Sequence, residues 1–141
     1  MRKVKNTSRL WVAWQATWGL PQTALGFAVS RVPSVHIRGR YRSEIVASWR
    51  RPQAMSLGLF IFMPDAELKR IEGGGDPFLL NHEYGHAVQS AILGPLYLPL
   101  VGIPSAIWSN LPALRRWRAN TGYEYYDFLI EKSASHLGGI R

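Results

Sequence analysis

Two uncharged apolar runs, residues 10–30 and 87–114, dominate the hydrophobic pattern of this chain. The first is long enough for a membrane span, and Arg2, Lys3, Lys5 and Arg9 ahead of it resemble the basic start of a signal sequence. Gln15, Gly19, Pro21 and Gln22 dilute it, while Trp11, Trp14 and Trp18 recur at helical spacing as a stripe of a residue that favours membrane interfaces. Interfacial attachment therefore fits better than a true span, with packing of the stripe on the protein's own core as the alternative. The second run stops at Arg115-Arg116-Trp117-Arg118 and is broken by Gly94-Pro95, Pro99, Gly102, Pro104 and Pro112. These breakers predict short pieces that dip into an interface and return, or that form a core and an apolar substrate wall.

Strands are expected between the runs. Residues 35–41 and 44–49 alternate charged and apolar positions, predicting a half-buried hairpin with its turn near Arg42-Ser43. Residues 57–63 are apolar and aromatic and predict a third, buried strand ending at Pro64. The polar stretch 65–76, with Gly73-Gly74-Gly75, reads as a mobile loop. One edge of such a sheet could hold an extended peptide by strand addition.

Beyond that stretch lies the candidate chemistry. Asp76 as N-cap and Pro77 at the first helical position predict a helix that Gly94-Pro95 ends. Within it, His82-Glu83-Tyr84-Gly85-His86 sets two imidazoles one turn apart on one face, with a carboxylate beside them. Two neutral imidazoles and a third ligand hold zinc with one position left for water, whose proton the adjacent Glu83 would take. The plainer alternative is a helix with two exposed or hydrogen-bonded histidines and a solvated glutamate. Glycine inside a helix costs about 1 kcal/mol relative to alanine, so Gly85 predicts a close neighbour, either a strand or a substrate backbone.

The third ligand must come from elsewhere in the chain. Thr121 and Glu124 have the spacing of a capping box and Gly138 stands where a left-handed C-cap is expected, predicting a second helix over residues 123–137. Candidates are Glu131, Asp127 one turn earlier, His136 on another face of that helix, and His36 in a strand far upstream. Together with the first motif, Glu131-Lys132-Ser133-Ala134-Ser135 resembles the gluzincin metallopeptidases, whose first metal helix carries His-Glu-x-x-His and whose second carries Glu-x-x-Ala-Asp. The resemblance implies a compact α+β zincin-like fold, zinc held by His82, His86 and Glu131, Glu83 as catalytic base, and a peptide or protein substrate. It departs at Ser135, which replaces an aspartate that supports a ligand histidine in the family; a neutral hydroxyl would orient the ring less strongly. Tyr123, Tyr125 and His136 are candidates to stabilise an oxyanion by their proximity to Glu131. From about residue 56 the chain is also similar to small bacterial membrane proteins. They share His-Glu-Tyr-Gly-His, a stretch like Leu93-Gly94-Pro95-Leu96-Tyr97, Gly102-Ile103-Pro104-Ser105 and a terminal Leu137-Gly138-Gly139, a likeness that brings no activity with it.

A length of 141 residues predicts one domain with a real core. The absence of cysteine excludes disulfides and thiolate zinc sites. A net charge of +8 suits an anionic membrane face, and nucleic acid is the weaker partner because no recognised nucleic-acid-binding motif accompanies the charge. If His86 and Glu131 meet at one ion, the run 87–114 between them must leave and return on one side of any bilayer. The expectation is a membrane-associated zinc hydrolase, a metallopeptidase first of all. A membrane protein with a structural zinc site, and a basic amphipathic membrane-binding module in which the motif is coincidence, are the alternatives.

Overall fold

The computed structural model describes residues 8–140, so the basic Arg2, Lys3 and Lys5 lie outside the described residues. The architecture is α+β, with helices packed around a four-stranded mixed sheet. The first apolar run folds as two helices, α1 (Arg9–Thr17) and α2 (Leu20–Ser30). Pro21 explains the break, since its ring would clash with the carbonyl of residue 17 if α1 continued.

Strands β1 (His36–Tyr41) and β2 (Glu44–Trp49) form the expected antiparallel hairpin, turning through Arg42 and Ser43 at φ of 47° and 73°. Residues 57–63, expected as one strand, are instead parts of two. β3 (Met55–Leu57) and β4 (Phe60–Pro64) pair antiparallel across a turn at Gly58, whose φ of +60° suits glycine. β4 also runs parallel to β2, which gives the order β1-β2-β4-β3 and leaves β3 at an edge. The two inner strands bury both faces: Ala47, Trp49, Phe60 and Phe62 pack beneath α1 and α2, while Val46, Ile61 and Met63 meet Leu68 and Leu80.

Leu68 belongs to α3 (Asp65–Glu72), which occupies the stretch expected to be a mobile loop. Its acids come first and its basic residues last, matching the helix dipole, and Leu68 and Ile71 turn one face to the core. Helix α4 (Phe78–Leu93) carries the histidines and begins one residue later than expected, with Pro77 rather than Asp76 at the cap. The run 87–114 then breaks up at the residues that predicted it. A 3-10 turn (Gly94–Leu96), a π turn (Leu98–Gly102), α5 (Ile103–Asn110) and α6 (Pro112–Thr121) follow in succession. Thr121 therefore closes a helix instead of opening one. The last helix, α7 (Leu129–Leu137), is capped at Phe128 after a 3-10 turn over Tyr125–Asp127, and the left-handed glycine after it is Gly139 (φ 84°), not Gly138.

Helix α7 lies directly against α4. A Cβ on Gly85 would stand 2.5 Å from the carbonyl carbon of Ala134 and closer still to its oxygen, so the neighbour that Gly85 admits is α7, neither a strand nor a substrate. One turn earlier on α4, the Asn81 carbonyl carbon would lie 2.8 Å from a Cβ on Gly138. These two contacts fix how closely the helices carrying the candidate ligands approach. Among the described residues no helix is long and apolar enough to cross a membrane.

Candidate metal centre

The close packing of α4 on α7 brings three buried side chains to one point. Glu131 Oε2 lies 2.9 Å from His82 Nε2 and 3.0 Å from His86 Nε2, although 49 and 45 residues separate them in the chain. Glu131 is fully buried and both histidines nearly so. Asp127, His136 and His36 are exposed and stand outside this cluster.

Each member is held by a second partner. His82 Nδ1 is 2.8 Å from the Ser135 hydroxyl, so serine occupies the supporting position in which the family resemblance expects aspartate. His86 Nδ1 is 2.7 Å from Gln89 Oε1, and the Gln89 amide nitrogen donates to the Ile130 carbonyl (3.1 Å) and the Ser133 hydroxyl (2.6 Å). The Ser105 hydroxyl donates to Glu131 Oε1, leaving Oε2 for the cluster. Gln89, Ser133 and Ser105 were not singled out from sequence. Gln89 was within reach, being one turn beyond His86 on the same helix face. Ser105 arrives from α5 through tertiary packing and carries no local signal.

This donor set fits a cation. With its amide nitrogen committed, Gln89 offers only its oxygen to His86, so His86 Nδ1 carries a proton and donates. A neutral His86 would then turn the lone pair of Nε2 toward a carboxylate oxygen, an arrangement that repels unless a proton or a metal ion lies between them. The titration tendencies agree. Burial pushes the His86 imidazole down, yet Glu131 and Glu83 outweigh it and favour the charged ring. Burial likewise pushes Glu131 up, but the two imidazoles and Ser105 hold it well below the usual carboxylate range. Three ligand atoms around a tetrahedral zinc with bonds of about 2.0–2.1 Å stand about 3.3 Å apart. The two Glu131–histidine distances of 2.9 and 3.0 Å would open by a few tenths of an ångström around such an ion, and all three ligand atoms already lie within 4.8 Å of one another.

Glu83 sits beside the cluster at the bottom of a cleft. Its carboxyl is buried and pushed up by that burial, and its Oε2 has no partner among the described residues. An orphaned buried oxygen of this kind calls for a ligand or a water. The cleft has two arms of about 200 Å³ each, and Gln53, Ala54, Glu83, Ser109 and Tyr125 border both. One arm adds Leu25, Trp49, Met55, Leu57 and Ile103 and is mainly apolar, with Arg51, Ser105 and Asn110 among its polar lining. The other adds His82, Leu79, Pro52 and Tyr126 and opens near the α4 N-terminus. The edge strand β3 walls the first arm, and there the Tyr97 hydroxyl donates to the Ser56 carbonyl. Of the three groups considered for an oxyanion only Tyr125 borders the cleft. Tyr123 is exposed with its hydroxyl on the Asp127 carbonyl, and His136 is exposed. Tyr126, unmarked in sequence, sets its ring edge-on to His82 at 4.9 Å.

Polarity is inverted in the helices flanking the apolar arm. The buried residues of α1 and α2 are Gln15, Gln22, Thr23 and Gly26, whereas Leu10, Trp14, Trp18, Leu20, Leu25 and Phe27 are exposed. Gln15 donates to the Ala87 carbonyl, Gln22 to Ser90 and the Gly94 carbonyl, and the indoles of Trp14 and Trp18 to the Ala91 and Ile92 carbonyls. The free carbonyls at the C-terminal end of α4 are thus satisfied by side chains rather than left to water. Ile92, Leu96, Leu100, Ile103, Ile107 and Leu111 continue the exposed apolar surface. Trp11 departs from its stripe: it stacks on Tyr84 at 5.9 Å and donates to Glu44 (2.6 Å).

Compared with known protein families, curated proteins and solved structures, the chain matches none. The resemblance to gluzincins read from the sequence rests on its two motifs alone.

Proposed function

We propose that the chain is a membrane-associated, zinc-dependent hydrolase of zincin-like fold whose substrate is a peptide. The observation that carries this is the convergence of His82, His86 and Glu131 beside a buried Glu83 with an unpartnered oxygen. Coincidence of the motif is disfavoured because residues so far apart in sequence meet and each has its own supporting partner. A purely structural zinc is disfavoured because such sites close with four protein ligands, whereas three gather here with a cleft alongside. Two imidazoles and one carboxylate also suit ferrous iron, but the unpartnered glutamate next to them is the hydrolytic arrangement.

When bound, zinc would supply a Lewis acid that polarises the scissile carbonyl and acidifies water. Glu83 takes one proton from the water as its oxygen bonds to the carbonyl carbon, and passes that proton to the nitrogen as the carbon–nitrogen bond breaks. Tyr125, whose hydroxyl is kept protonated by burial and by the Glu131 and Glu83 charges, is the donor available to the oxygen that gains negative charge. The apolar arm walled by the edge strand β3 supports a substrate that presents an extended apolar segment. Membrane association draws support from the inverted polarity of α1 and α2 and from the exposed Arg9, Arg31, Arg115 and Arg116 around it.

Metal analysis before and after chelation, on the unmodified, His86→Ala and Glu83→Gln proteins, tests the proposal. One zinc per chain is expected in the first and third and none in the second. Peptide hydrolysis should fall by roughly 10²–10⁴-fold in Glu83→Gln with its metal intact. Full zinc in His86→Ala would sink the metal assignment, and unchanged hydrolysis by Glu83→Gln would sink the catalytic one.

A further inference from the structure

The apolar arm of the cleft and the inverted surface share two residues. Leu25 on α2 and Ile103 at the start of α5 both border the arm that reaches Glu83 and His86, yet they are 46% and 56% exposed. They therefore stand at the mouth. Next to that mouth the outward faces are apolar, with Pro21 and Ala28 one turn either side of Leu25 and with Leu100 and Ile107 beside Ile103. Arg51 and Asn110 also border the arm and are exposed, so the mouth joins this apolar surface to a polar edge, as an opening at a membrane interface would. The other arm is different in kind: it lies near the start of α4, under Pro52 and Tyr126, away from the apolar stripe.

We infer that the cleft is a passage between membrane and water: an apolar peptide segment enters it from the bilayer at Leu25 and Ile103, and water reaches Glu83 through the second arm. This deepens the proposed function and rests on its membrane-associated peptidase assignment. The occupant of the outer surface is an anionic bilayer, because the exposed apolar residues carry half-exposed Trp14, Trp18 and Trp117 and have Arg9, Arg31, Arg115 and Arg116 about them. Since no helix among the described residues crosses, these elements would lie in one leaflet, which is where the substrate segment must also lie. Hydrolysis there consumes one water and leaves a carboxylate and an amine, both more polar than the amide they replace. Charged ends are costly in the apolar arm and favoured in the other, so cleavage itself drives the products toward water.

The chain has no cysteine, so single labels can be placed without interference. Leu25→Cys, Ile103→Cys and, as control on the far helix α3, Glu72→Cys would each carry an environment-sensitive fluorophore. They would be mixed with vesicles of phosphatidylcholine and phosphatidylglycerol containing nitroxides on the acyl chains. Labels at 25 and 103 are expected to be quenched several-fold more than the label at 72, and to be shielded from iodide in the water. In a second arm, Ala106→Cys in the Glu83→Gln background carries a photoreactive group on the cleft wall, and an apolar peptide reconstituted in the vesicles is expected to crosslink to it. If the protein floats with vesicles but labels 25 and 103 are quenched by iodide, attachment stands and entry from the bilayer is wrong. Failure to float at all overturns attachment together with this inference. Crosslinking to lipid in place of peptide overturns the substrate class.

Discussion

Replacing Gly85 by alanine should separate the two helices that make the site. The new Cβ would lie 2.5 Å from the Ala134 carbonyl carbon and nearer to its oxygen, whereas carbon atoms in contact stand about 3.5–4.0 Å apart. Both groups are backbone, so no side chain can rotate away, and α7 must move by about 1 Å or more. Helix propensity alone would favour the change by about 1 kcal/mol, but overpacking of this kind typically costs about 1–3 kcal/mol and sometimes more. The larger effect falls on the ligands. Sites of this kind tolerate about 0.5 Å of misplacement, and a shift of α7 carries Glu131 with it. Metal affinity should therefore fall by more than the roughly tenfold to hundredfold lost with an outer partner. Chelator competition measures the affinity, and thermal unfolding with and without metal measures the stability. Gly73→Ala is the control, because a Cβ there meets nothing nearer than 3.5 Å. Unchanged affinity with a raised unfolding temperature in Gly85→Ala would refute the close packing and with it the geometry of the centre.

Three further outcomes are expected. Glu131→Ala should abolish tight metal binding by chelator competition, while Asp127→Ala and His136→Ala leave it in place; loss in either exposed control would reassign the third ligand. Ser135→Ala should weaken affinity, and Ser135→Asp should tighten it by about tenfold to a hundredfold, since the hydroxyl already lies 2.8 Å from His82 Nδ1; equal affinity in all three would show that this contact does not act on the metal. Glu44, buried beneath Trp11, has its carboxyl raised by burial from 4.5 to about 8, so the folded state holds the proton more tightly than the unfolded one. Its stability contribution is then full below about pH 4.5 and is lost as pH rises through about 8, which costs about 3 kcal/mol at pH 7 at about 1.36 kcal/mol per pH step. Denaturant midpoints from pH 5 to 9 should show Glu44→Gln losing less stability than the unmodified chain, and parallel profiles would refute the buried acid.

Local signals served the chain well where one physical cause acts alone. The β1–β2 hairpin follows from alternation and a turn that accepts positive φ, and the fragmentation of residues 87–114 follows from proline and glycine. The grouping of His82, His86 and Glu131 was legible because both motifs are short and helical, so that knowing the helices is enough to know the faces. Misreadings arose where two causes compete. Thr121 and Glu124 satisfy the spacing of a capping box, but α6 begins at Pro112 and runs through Thr121, whose hydroxyl donates back to the Trp117 carbonyl and accepts from Tyr123 N–H with no helix starting there. The stretch 65–76 looked like loop because its composition is polar, yet eight residues with ordered charge and two core-facing apolar side chains suffice for α3 once a sheet lies beneath it.

The residues that misled most in sequence are the ones that organise the apolar half of the molecule. Gln15 and Gln22 counted there as dilution of a hydrophobic run, a reason to doubt a membrane segment. In the fold they form the seam of α1 and α2 against α4, where Gln15 and Gln22 reach main-chain carbonyls and the Thr23 hydroxyl bonds the Gln15 carbonyl. Hydropathy averages a helix over all its faces and so cannot separate a polar residue that meets water from one that meets backbone. The distinction lies in phase: Gln22, Thr23 and Gly26 share one side of α2, with Leu20, Ala24, Leu25, Phe27 and Ala28 around the rest. A helix with its polar side chains in one narrow stripe and no charge anywhere has little to gain from facing water. Interhelical hydrogen bonds of this type are how helices associate where the surroundings are as apolar as their own side chains. The same polar stripe that weakens the case for a span thus strengthens the case for a surface immersed in lipid, and it does so at the mouth of the cleft that leads to Glu83.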